Sequence, residues 1–135
     1  DWDKMMALTG NTATYMQYAY ARNRSIFRKG GVTPESIRAA RPALLVEHPA
    51  ERALAVQLLR LPEAVALAGS ELKPNIITDY LFALANAYST FFENCPVLKA
   101  DSDALRASRL AFCDLTARAL RFGLDLLGIE VVERM

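Results

Sequence analysis

Apolar residues along this 135-residue chain return in steps of three and four. Nowhere do apolar and polar positions alternate strictly over more than a few residues. That rhythm predicts amphipathic helices rather than half-buried strands, and so an all-α helical bundle. The first helix is expected from about Thr12 to Lys29, entered through Gly10-Asn11-Thr12 and stopped by Gly30-Gly31. Thr33-Pro34-Glu35-Ser36 opens a short second helix, with Thr33 as N-cap and Pro34 at the first helical position, ending before Pro42. Residues 30–48 are otherwise read as irregular. His48-Pro49-Ala50-Glu51 starts a third helix with Leu54, Leu58 and Leu61 on one face, and beyond Pro62 a brief helix reaches Gly69.

Two longer helices follow. One runs from Pro74 to Asn94 with the row Ile77, Leu81, Leu84, Tyr88, Phe91 and Cys95. Pro96 ends it, because a proline disfavours helical geometry in the residue before it. Asp101-Ser102-Asp103 caps the last helix, which is expected to reach about Leu127 and stop at Gly128. Its expected core row is Leu105, Ser108, Phe112, Leu115, Ala119, Phe122 and Leu126. Three long helices with such stripes can bury one another's faces. No internal repeat or low-complexity tract appears. Residues 1–8 are read as the tail of a preceding domain and residues 9–135 as one domain, the number natural at this length.

With 53% hydrophobic and 23% charged residues, the chain is not disordered, collagen-like or a disulfide scaffold. A core of this size needs no staple. No apolar run reaches the roughly 20 uninterrupted residues of a membrane span. The chain opens Asp-Trp-Asp-Lys, without the charged-then-apolar start of a signal peptide and without an initiator Met. Cys95 and Cys113 stand apart, with no CxxC spacing. The expectations are a segment of a longer polypeptide, free buried thiols, a cytoplasmic location and no membrane partner. The formal net charge of +1 hides an uneven distribution. Residues 22–41 hold Arg22, Arg24, Arg28, Lys29, Arg38 and Arg41 against Glu35 alone, whereas residues 47–71 are net acidic. Such a basic end suits a polyanionic partner, and equally a solvated helix flank.

Catalytic signatures are missing: no Gly-rich phosphate loop, no HExxH and no GxSxG. The single histidine, His48, has no second ligand in sight, so neither a metal site nor a cofactor is expected. The chain reads as one that binds. At 100° per residue, Tyr18, Arg22 and Lys29 fall in one row of the first helix, with Tyr15 and Ile26 beside it. Met16, Tyr20, Asn23 and Phe27 form a second row suited to the core. Rings beside cations are how unpaired nucleic acid is held, with bases on the rings and phosphates on the cations. The same spacing also describes an amphipathic helix with a tyrosine packed at its rim. On the last helix, Arg106 and Arg109 lie off the expected core row, as phosphate contacts or as ordinary surface arginines. Arg118 and Arg121, interleaved with Asp114 and Asp125, read as a solvated, mutually neutralising face.

Several runs together resemble one family. Gly10-Asn11-Thr12 followed by Tyr15-Met16-Gln17-Tyr18-Ala19-Tyr20-Ala21-Arg22 resembles the opening helix of the C-terminal domain of arginyl-tRNA synthetases. Phe91-Phe92-Glu93-Asn94-Cys95-Pro96-Val97-Leu98 looks like that domain's middle helix end. Asp103-Ala104-Leu105-Arg106 matches the four letters naming the DALR anticodon-binding domain. The stretch from Leu115-Thr116-Ala117 to Glu133-Arg134-Met135 resembles its last helix and terminus. The resemblance implies an all-α domain that docks the anticodon stem-loop of arginine tRNA. Its partner in the parent chain would be a class I catalytic domain that uses ATP. It also implies anticodon-loop contacts at Tyr15, Tyr18, Arg22, Phe91, Phe92 and Met135. Phe92 stands where many relatives carry Tyr, which keeps a ring but loses a hydroxyl. The HIGH-like and KMSKS-like motifs of the catalytic domain are missing, so these residues would not form an aminoacyl-adenylate. A helical protein-interaction module is the competing reading. A DNA partner is not expected, because the chain lacks a compact basic recognition helix.

Overall fold

Helix breakers set the order of the elements. The computed structural model describes residues 13–135, so the Gly10-Asn11-Thr12 entry and the reading of residues 1–8 lie outside the described residues. Six α-helices are present among them: α1 Ala13–Gly30, α2 Pro34–Ala40, α3 Pro49–Leu59, α4 Leu61–Glu71, α5 Pro74–Asn94 and α6 Asp103–Leu126. Four of the six, α2 to α5, carry a proline in the first turn, where the missing N–H has no intrahelical role. Thr33 caps α2 by accepting from Ser36 N at 3.1 Å, and Ser102 caps α6 by accepting from Leu105 N at 3.1 Å. His48 caps α3: its Nδ1 accepts from Ala50 N at 3.0 Å, while Glu51 accepts from His48 N at 2.8 Å. The lone imidazole is thus committed to a helix end, and no metal-ligating group of residues occurs among the described residues.

Helix α5 is central. Leu81, Leu84, Tyr88 and Phe91 on it are buried against Met16, Tyr20 and Phe27 of α1, Leu54 of α3, and Leu110, Phe112, Leu120 and Leu124 of α6. Helices α3 and α4 pack along α5, while α1 and α2 pack on α6. The α5–α6 approach is close enough that a Cβ on Gly123 would stand 2.5 Å from Leu81 Cδ2. Taken as one rod, Pro49–Glu71 has an 18-residue stretch of mean hydropathy 1.2, the length and composition of a membrane span. Here its two halves join at Arg60 and lie against α5.

The expected α6 core row holds only over part of its length. Leu105, Ser108, Phe112 and Ala119 are buried, but Leu115, Phe122 and Leu126 are exposed. At 100° per residue Leu115 and Phe122 fall at the outer edge of that row, where they share an open hollow with Leu58 and Leu61 rather than a closed contact. The buried stripe continues on an adjacent strip through Leu110, Cys113, Ala117, Leu120 and Leu124. Asp114, expected on a solvated face, is instead buried and ion-paired with Arg24 at 3.1 Å and Arg38 at 2.8 Å, tying α1 and α2 to α6. The irregular residues 41–48 are held by Leu45 N, which donates to Ser108 Oγ at 2.8 Å.

Candidate nucleic-acid interface

The seam between α1 and α5 opens at its lower end into a groove of about 490 Å³, lined by Arg22, Ser25, Ile26, Lys29, Phe92 and the turn after α5. Arg22 lies over the Phe92 ring with its Cζ 4.0 Å from the centroid. A guanidinium held over a ring on one side can offer its other face to a flat partner. On the other side of Arg22 a second hollow, about 410 Å³, is walled by Tyr18, Arg28, Lys29, Arg134 and Met135. Tyr18 is half exposed. The terminal residues reach this place because the chain after α6 folds back on α1. Gln17 Nε2 donates to Glu130 O at 2.7 Å, and Tyr20 Oη donates to a Glu133 carboxylate oxygen at 3.3 Å. The result is a cationic saddle whose lining includes Arg22, Arg28, Lys29 and Arg134 and no carboxylate side chain.

Residues 16–135 match the family described as the DALR anticodon binding domain. The chain belongs to that family. Over its full length it is 50% identical to an arginine–tRNA ligase of Thermobifida fusca (strain YX), of which it covers 23%. The solved arginyl-tRNA synthetase of Thermus thermophilus superposes on 90% of this chain and 21% of its own, with a TM-score of 0.78 and 37% identity. The arginyl-tRNA synthetase from Plasmodium falciparum does so over 100% of this chain and 23% of its own, with a TM-score of 0.79 and 28% identity. The chain therefore spans less than a quarter of the length of the curated relatives it matches, 23%. It holds the DALR domain and no catalytic domain.

Within this DALR domain the structure brings Tyr18, Arg22, Lys29, Phe92 and Met135 to one place. Tyr15 lies on the same α1 strip two turns earlier. Its hydroxyl reaches Asn86 Oδ1 at 3.0 Å and Ser89 Oγ at 3.2 Å, and its ring tilts against Phe82, so it closes the seam above the groove. Arg106 is half-buried at the end of α1, where its Nη2 would stand 3.3 Å from a Cβ on Gly30. Two expectations are overturned. Phe91 is fully buried between Tyr88 and Phe112, both 6.0 Å away centroid to centroid, so no base can reach it. Arg109 is not a surface arginine: it is buried, its Nε donates to Glu51 at 3.2 Å and its Nη1 to Pro96 O at 2.8 Å. It shapes the groove from behind by fixing the turn that carries Val97 and Lys99.

Sequence reasoning did not select Ser25, Arg28, Lys99 or Arg134 as site residues. The signal for Arg28 was present in the basic cluster of residues 22–41. Lys99 and Arg134 come from a turn and a tail, whose placement no helical period encodes.

Proposed function

We infer that this chain is the anticodon-reading domain of an arginine–tRNA ligase, and that it docks the unpaired loop of arginine tRNA over the saddle of Arg22, Arg28, Lys29 and Arg134. The domain boundary at residue 9 belongs to this reading, as does a catalytic domain in the parent chain that joins arginine to tRNA with ATP. The cytoplasm is the compartment where such a ligase works. One observation carries the reading: an arginine over an aromatic ring, in an open groove that continues into a cationic hollow. Loop bases can stack on that outer guanidinium face or on Tyr18, while phosphates meet the surrounding cations.

The test is binding of arginine tRNA to the 135-residue chain, measured by filter retention across a salt series. Arg22→Ala is expected to weaken binding and to flatten the salt slope by about 0.7, the share of one phosphate contact on a single strand. The circular dichroism spectrum should not change. Affinity and slope equal to those of the unsubstituted chain would refute the assignment.

A further inference from the structure

A third hollow lies on the far side of α1 from Phe92. Phe27, Val32 and Pro34 line it, Arg28, Glu133 and Arg134 complete its rim, and it encloses about 510 Å³. It shares Arg28 and Arg134 with the cationic saddle, and the saddle shares Arg22, Ser25 and Lys29 with the groove at Phe92. At 100° per residue, Ile26, Arg22, Ser25, Arg28 and Phe27 succeed one another around α1. The three hollows therefore form one continuous track across the helix: apolar, cationic, apolar. Arg24 braces the far end. It is buried, ion-paired with Asp114, and lies 5.6 Å from the Phe27 ring centroid.

A ligand matching this track carries flat apolar groups at two points and negative charge between them. A helix with its side chains is about 10–12 Å across, so those two points stand on opposite sides of a rod of that width. One strand of RNA with two bases splayed apart and its phosphates between them meets that description. The Glu133 carboxylate adds an acceptor at the rim, suited to an exocyclic amino group.

We propose that the Phe27–Val32–Pro34 hollow is a second base-binding site, filled by an unpaired base of the same strand whose neighbour occupies the groove at Phe92. This rests on the RNA-binding reading above and goes beyond it in requiring two separate base pockets joined by one phosphate path.

The native thiols are buried, so a cysteine introduced as Val32→Cys can be alkylated selectively with N-phenylmaleimide after folding. The ring then fills the hollow without a folding step. The probe is the arginine-tRNA anticodon hairpin, intact or with one loop base at a time replaced by an abasic residue. Alkylation is expected to lower hairpin affinity about tenfold relative to the same variant unmodified, within the range of one lost base stack. One abasic position should become neutral in the alkylated protein, while a different position keeps its penalty there and loses it in Phe92→Ala. Equal affinity before and after alkylation, with the hairpin still bound, overturns the second site alone. Failure of the unmodified chain to bind the hairpin overturns both readings. Glu133→Cys supplies another attachment point should Val32→Cys not fold.

Discussion

Arg22 owes its pose to Phe92, and the two features it offers a ligand, charge and flatness, can be separated by substitution. Arg22→Lys retains the cation on a flexible stem but has no plane to lay against a base. This variant should keep the salt slope of the parent and yet bind the hairpin about tenfold more weakly, the cost of one stack; a salt titration reads both quantities at once. The left-handed residues give an independent test of backbone strain. Leu72, at the C-cap of α4, has φ of 54° and an almost fully exposed side chain that packs on little. A Cβ is disfavoured there and glycine is not. Leu72→Gly is expected to raise the thermal midpoint, by the equivalent of about 1 kcal/mol, with no effect on RNA binding.

Two buried ion pairs join the helices, and both were invisible to the periodicity that located the helices themselves. The spacing of apolar positions, the prolines and the caps gave every helix end that lies within the described residues to within two residues, because those signals are local. Which neighbour covers a given face is not local. Asp114 and Arg109 sit at positions that look solvated on an isolated helix, and they are buried because α1, α2 and α3 close over them. Burial works to raise the Asp114 carboxyl, but hydrogen bonds from Arg38 and Arg24 outweigh it and hold the group below the usual carboxylate range. Its contribution is therefore present above the unfolded value of about 3.9 and is lost as pH falls through the lower folded value. Chemical denaturation below about pH 4 should show this loss, and Asp114→Asn should abolish that part of the acid dependence. At pH 7 the same substitution is expected to cost about 3 kcal/mol, since it leaves Arg24 without its buried partner. Glu51→Ala should cost a similar amount, because it strands Arg109 and two backbone donors at the start of α3 together. It should also loosen the Pro96 turn, and with it the groove.

Across the molecule, charge is unevenly spread: the saddle on α1 is basic, while residues 47–71, which include α3 and α4, are net acidic. With Arg22, Arg28, Lys29 and Arg134 each meeting a phosphate, the logarithm of affinity should fall against the logarithm of salt with a slope of about −3. A slope near zero would leave the saddle without a role. Half of that saddle was legible as a row of Tyr18, Arg22 and Lys29. Met135 was named only through the family resemblance and Arg134 not at all; both are delivered by a tail that returns over a hundred residues later to lie on the first helix. Gln17 and Tyr20 grip it there. Any polypeptide appended beyond Met135, whether a purification handle or a reporter fusion, would begin inside the hollow beside Tyr18 and Arg22 and compete for the space an RNA loop needs.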